Sequence, residues 1–523
     1  MTNPCPVCSD GQQGAYPNLG KCPLLIAAYV LAGLAMMLNI RLSYSSAPYA
    51  LIRFKLPENL FSVFVRRMAS ALELWCLPSM LLGNIWDVYY KKQIYNTSKE
   101  DKNKNAEEKA KDRLSKFRYI IIPSIISQWL NFLTYVLLMF VYLIGGDQGH
   151  LTTFYLVIAI SGVVFGINMV LLYSVDFYYI PVYIAGENSF PALTSFIHYI
   201  ATLIFGNRRK WSSDFLLVTI DIGVAIIISF VAAMVWTIGY GIFAGKYPED
   251  TANPGEGDLK HIHAFGFFAS PNWPVISPFL MVIVGMGLVY AIYPGIAPGM
   301  IVPFYLIDKI EMVLLVATFF PPVIFAILRK EAPEWSPSTS FVDHKNDKTG
   351  MGGWTHYIST HQATSETQSL EEQQCDPNKE TKDVHAYLWH FFDILMVIKI
   401  VLAYIFIYSL HYRESSLSRA IVNQPKMSTF LSIVFYMCHE CLLAIGFPGV
   451  IGNGGGDYVL IPQYIGALFM IFLAFYSEGY IIGYKSHIPA HWPTDGMWHI
   501  LVLFVDYFIG WLVFIYGFYY DKV

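Results

Sequence analysis

Apolar residues run in long, nearly unbroken blocks along this chain, with polar residues gathered between the blocks rather than alternating with them. A bilayer core takes about 20 apolar residues per helix. Blocks of that kind lie near 23–41, 60–86, 118–144, 152–177, 214–243, 274–294, 301–328, 386–410, 460–484 and 497–519. Two weaker blocks lie near 187–206, which carries Asn188, Ser189 and Pro191, and near 429–452, which carries Cys438, His439 and Glu440. The pattern predicts ten to twelve membrane helices, and eleven is the count adopted, six before residue 244 and five after it.

Three hydrophilic stretches divide the blocks. Residues 87–117 open with Lys91-Lys92 and continue rich in Lys, Asn and Glu, which predicts a solvated helical loop. Residues 244–272 are rich in Gly, Pro and His, and residues 330–384 in Ser, Thr, Gln and charge, a composition that predicts disorder. The resulting plan has a cytoplasmic tail at 1–22, a six-helix bundle at 23–243, a cytoplasmic linker at 244–272, and a C-terminal bundle at 273–523 interrupted by the polar loop. The density of Lys and Arg in 87–117 places that loop in the cytoplasm. Arg208-Arg209-Lys210 then falls on the outer side and opposes the plan, and the sequon Asn96-Thr97-Ser98 goes unused.

Composition supports lipid as the solvent. The chain is 55% hydrophobic and only 14% charged, against about a quarter charged in soluble chains. That leaves too little polar surface to cover a globule in water. A net charge of −4 without a basic stripe argues against nucleic acid as a partner. Residues 1–21 lack the apolar core of a secretory signal. The seven cysteines are scattered and odd in number, so a disulfide framework is not expected, and Cys5-Pro6-Val7-Cys8 reads as a reduced tail rather than half of a zinc site.

Ionisable residues inside spans are costly and mark bundle interiors or aqueous paths. The acids are Glu73, Asp176, Asp221, Asp308, Glu311, Asp393, Glu440, Glu478 and Asp506; the bases are Arg66, Arg67, Lys309 and Lys399, with His198, His390 and His439. Arg66, Arg67, Asp176 and Asp221 lie near span ends, where snorkelling suffices. Asp308 and Glu311 share a helix face at i, i+3 and with Glu478 are the first choices for function. Asp393 and Lys399 are six apart and each needs a partner on another helix. The run Cys438-His439-Glu440-Cys441 fans around a helix and does not converge on one ion. No phosphate-cradling loop, G-x-S-x-G elbow or H-E-x-x-H is present, so neither metal, cofactor nor enzyme chemistry is expected.

Several segments, in order, resemble the equilibrative nucleoside transporter family. Leu31-Ala32-Gly33-Leu34-Ala35-Met36-Met37-Leu38-Asn39 resembles its GLGTLLPWN, Leu77-Pro78 its Leu-Pro-rich second helix, and Phe165-Gly166 the opening of its fourth. Tyr179 with Ala185-Gly186-Glu187-Asn188 is similar to its Tyr and SGQG, and Tyr290-Ala291-Ile292-Tyr293-Pro294-Gly295 to its TLxxFPG. Leu306-Ile307-Asp308 resembles NxxD, and Ala474-Phe475-Tyr476-Ser477-Glu478-Gly479-Tyr480 resembles FxxSNGY. The family's DxxGR stands here as Asp308-Lys309-Ile310-Glu311-Met312, without its Gly and Arg, and its fourth-helix Gln position reads as apolar. As a divergent relative, the chain is also similar to the expanded Tpr-related membrane families of protozoan parasites.

The resemblance implies a major-facilitator-like all-α integral membrane protein, two bundles rocking about a midplane cavity. It implies facilitative transport of nucleosides or nucleobases, with the plasma membrane as the usual location. Asp308, Glu311, Glu478, Asn39 and Trp75 are the expected solute-binding residues; the small-molecule solute and the lipid bilayer are the expected partners. Two rival readings are a non-transporting scaffold or receptor acting through 330–384, and a membrane-embedded enzyme using His390 or His439.

Overall fold

A computed structural model describes residues 22–36, 49–50, 53–56, 61–100, 112–143, 151–207, 209–242, 275–331, 386–412, 414–451 and 455–486. About 90% of these residues are helical, with no strand among them. The helices are α1 (Pro23–Met36), α2 (Phe61–Glu100), α3 (Ile122–Leu143), α4 (Leu151–Val175), α5 (Ile180–Phe205) and α6 (Ser213–Trp236). There follow α7 (Ile276–Gly287), α8 (Val289–Ile292), α9 (Phe304–Ala317), α10 (Phe320–Glu331), α11 (Asp393–His411), α12 (Ser416–Val422), α13 (Pro425–Val450) and α14 (Leu460–Ser486). Among the described residues, six helical stretches are long and apolar enough to cross a membrane: Asp112–Leu143, Leu151–Val175, Phe215–Ile242, Trp389–His411, Pro425–Val450 and Leu460–Ile481. This is the architecture of a multi-pass membrane protein.

The two weak blocks of the sequence both form helices, α5 and α13, each of 26 residues or about 39 Å. Two strong blocks are broken instead. The block at 274–294 stops at Gly287 and restarts at Val289. The block at 301–328 turns at Thr318-Phe319 and restarts as α10, with Pro321-Pro322 in its first turn, where a missing N–H costs nothing. α2 runs for 40 residues, about 60 Å, twice the hydrocarbon thickness, so the helix predicted for 87–117 is real as far as Glu100. The last block, 497–519, and the polar loop 330–384 beyond Glu331 lie outside the described residues.

The chain forms two compact units. The first is drawn from Met1–Phe279, Thr318–Trp389 and Ala444–Ile461; the second from Leu280–Ala317, His390–Leu443 and Pro462–Val523. In the first unit the most extensive pairings are α2 with α4, α1 with α5, α3 with α4, α1 with α6, and α3 with α6. Exchanging α1, α2, α3 for α4, α5, α6 maps this set onto itself. The two leading pairings both rest on glycine. A methyl group on Gly33 would overlap the Tyr183 carbonyl, and one on Gly162 would overlap the Leu72 carbonyl, so each helix pair touches backbone to backbone.

The first unit is inside out by the standard of a soluble protein. Along α3 the buried face carries Ser124, Ser127, Gln128, Asn131, Thr134 and Tyr135. The outward face carries Ile126, Leu130, Leu133, Leu137 and Phe140, all well exposed. In water each outward side chain would forfeit roughly 1.5–3 kcal/mol; facing acyl chains it forfeits nothing. The second unit follows the same rule: on α11, Lys399 and Ser409 are buried while Ile394, Val397, Ile400 and Tyr404 face out.

Candidate functional site

α3 presents a continuous buried polar face within the first unit. Its residues recur at 124, 127/128, 131 and 134/135, the three-to-four spacing that stacks side chains on one helix face. At the lower end α3 meets the last turn of α1, whose carbonyls have no partner within their own helix. The Ala35 carbonyl accepts from Tyr135 Oη at 2.8 Å and from Asn131 Nδ2 at 3.4 Å. In the middle, Ser127 Oγ donates to Asn168 Oδ1 of α4 at 2.5 Å, and Asn168 Nδ2 reaches Met36 Sδ at 3.0 Å. At the upper end Ser124 Oγ accepts from Trp236 Nε1 at 3.0 Å.

Trp236 belongs to an aromatic box. Tyr29 stacks on Tyr179 with centroids 5.0 Å apart and meets Trp236 edge-on at 4.9 Å, while Trp236 and Tyr240 are 4.9 Å apart. All four rings are buried, and their polar tips stay satisfied: Tyr29 Oη donates to the Leu172 carbonyl at 3.3 Å, and Tyr179 Oη accepts from the Cys22 backbone at 3.2 Å. Asp176, expected to snorkel, is buried instead. It starts the turn that carries Tyr179, accepting from the Tyr178 backbone N–H at 2.9 Å.

Against this well-paired frame, several buried atoms on the stripe have no hydrogen-bond partner among the described residues. They are both amide atoms of Gln128, Oδ1 of Asn131 and, on α4, Oγ of Ser161. Gln128 is 1% exposed. Leaving such a group unpaired by protein, water or solute costs about 1–3 kcal/mol, so each one calls for a partner. Gln463 on α14 repeats the pattern in the second unit, wholly buried with neither amide atom paired, and Ser477 Oγ is likewise unpaired.

The residues chosen from sequence fare differently. Asp308 and Glu311 fall on α9 and Glu478 on α14, but their side chains lie outside the described residues, as does Asn39 altogether. Trp75 lies on α2 and is 43% exposed. Asp221, expected to snorkel, pairs with His198 across α5 and α6 at 2.9 Å. Asp393 has a local partner in His390 Nδ1 at 2.8 Å. Lys399 does find partners on other helices, the Gly285 carbonyl and the Phe435 ring. Cys22 is disulfide-bonded; Cys5 and Cys8, read as a reduced tail, lie outside the described residues. At the polar end of α2, Lys91 and Asp87 form a buried pair at 2.8 Å. Next to them burial, then the Asp112 and Asp87 carboxylates, push the Tyr90 phenol above its ordinary range, so it stays a donor, to the Asp112 carbonyl at 3.4 Å.

The stripe is silent to a sequence reading keyed to ionisable residues. Gln128, Asn131 and Asn168 are neutral; the signal that would have found them is polar residues at three-to-four spacing inside an otherwise apolar span. No protein-family model matches the chain, and no curated protein matches it.

Proposed function

We propose that this protein is a facilitative carrier of small, uncharged, hydrogen-bonding solutes, with nucleosides or nucleobases as the class, working by alternating access between two helical bundles in a 6+5, major-facilitator-like plan. The observation that carries the reading is Gln128. A buried amide with neither its donor nor its acceptor paired among the described residues, on a helix whose outer face suits lipid, is placed to exchange hydrogen bonds with a polar molecule shielded from the bilayer.

Three further features support it. The self-mapping pairing of α1–α3 with α4–α6 is what an inverted repeat of three helices gives, since helices three apart in a serpentine chain run in opposite directions. Glycine-seated crossings let helix pairs pivot with little repacking. The sequence resemblance supplies the solute class and adds Asp308, Glu311, Glu478, Asn39 and Trp75 to Gln128, Asn131 and Gln463 as candidate contacts. The plasma membrane is the proposed location.

The test is uptake of labelled nucleosides and nucleobases into transport-null cells expressing the protein, with Gln128→Leu and Asp308→Ala as controls of matched surface expression. Saturable uptake that both variants reduce supports the reading. No uptake of any purine or pyrimidine removes the solute class, and uptake indifferent to Gln128→Leu removes the stripe from the path.

A further inference from the structure

The second unit holds a buried polar knot unrelated to the α3 stripe. α7 ends at Gly287 and α8 starts after Leu288, and a break of this kind releases backbone carbonyls from the helical ladder. The Gly285 carbonyl turns to side chains. It accepts from Lys399 Nζ of α11 and, at 2.7 Å, from His439 Nδ1 of α13. A carbonyl only accepts, so His439 carries a proton on Nδ1 in this contact.

Lys399 is 0% exposed and sits in the middle of an apolar span. Its ammonium also lies 5.3 Å from the centroid of the Phe435 ring. Among the described residues no carboxylate forms an ion pair with it; the buried Glu440 and Cys438 of α13 act on it only through space. The ammonium is therefore held by a carbonyl oxygen and an aromatic face, with the Glu440 carboxylate acting from a distance. Those are the groups that bind free monovalent and alkylammonium cations in proteins, carbonyls released at broken membrane helices above all. A lysine kept merely for packing would need only its methylene stem, and a charge at this depth without function is rare.

We propose that the Gly285 carbonyl and the Phe435 ring form a monovalent-cation site of alkylammonium type, filled by the protein's own Lys399. The side chain is a tethered cation, and the second unit needs no inorganic ion at the α7–α8 break. This inference stands apart from the identity of the transported solute.

Chemical rescue of the full chain in detergent tests it. Lys399→Ala removes the stem and the charge and opens a path for a free ion. Its thermal midpoint should fall by roughly 5–10 °C in N-methyl-D-glucamine chloride and recover at least half of that fall, saturably, in ethylammonium chloride of equal ionic strength. Sodium chloride should restore less, and the parent protein should respond alike to all three salts. Lys399→Met fills the site with an uncharged stem and should be destabilised without rescue. Equal midpoints of Lys399→Ala in the three salts overturn the proposal, and so does Lys399→Met matching the parent. Should Lys399→Ala not survive extraction, expression and purification in each salt replaces the melting curve. Monodisperse protein recovered only in ethylammonium supports the tethered cation; loss in every salt overturns it.

Discussion

The α3 stripe and the Lys399 knot are both polar interiors built into lipid-facing bundles, yet they solve opposite problems. The stripe is neutral and under-bonded: Gln128 keeps two unpaired atoms beside fully engaged neighbours such as Tyr135, Ser127 and Trp236. The knot is cationic and bonded, with one carbonyl taking both Lys399 and His439. A neutral amide left open can trade partners at modest cost, as a solute contact must. A buried charge cannot be left open, because the uncompensated form costs several kcal/mol. The comparison separates a surface meant for exchange from a contact meant to hold.

The contrast can be broken most forcefully at the knot. Lys399→Glu sets a carboxylate against the Gly285 carbonyl and should cost about 3–5 kcal/mol, read as loss of the monodisperse peak in fluorescence-detected size exclusion. A stable Lys399→Glu protein would mean the charge is not held there. His439→Leu removes one of the two donors and should cost about 2 kcal/mol, measured as a lower thermal midpoint in detergent. On the stripe the sign reverses. Gln128→Leu should reduce uptake about tenfold, near 1.4 kcal/mol, while leaving stability unchanged or raised by up to about 1 kcal/mol because an unpaired amide has gone. Destabilisation by Gln128→Leu would class it with the knot. The smallest effect is expected for Tyr135→Phe, which leaves the Ala35 carbonyl with only the longer Asn131 bond, at a cost of about 1 kcal/mol with uptake nearly intact.

Much of the helical architecture is legible in the runs, since about 20 apolar residues have few alternatives to spanning. α5 and α13 look weak in sequence because Asn188, Pro191, His439 and Glu440 lower local apolarity, yet His439 is paired with the Gly285 carbonyl and Glu440 is buried. The break at Thr318 is marked by Pro321-Pro322, which favour the first turn of a new helix; the break at Leu288 is not legible, because apolar sequence without proline there gives no sign of where a helix stops. Lys399 is legible as an anomaly, but its partner is not: Gly285 offers only a backbone carbonyl, 114 residues away in sequence. The neutral amides of the stripe escape notice because a reading keyed to charge passes over them.

The bond between Tyr135 and the Ala35 carbonyl joins residues 100 positions apart. At about 5–20 residues per second of synthesis, α1 leaves the ribosome roughly 5–20 s before the side chain that caps its end exists. The glycine crossing at Gly33 waits longer still, for Tyr183. During biogenesis the first helix is therefore an orphan in the bilayer, and the interval gives membrane chaperones time to shelter it or quality-control proteases time to remove it.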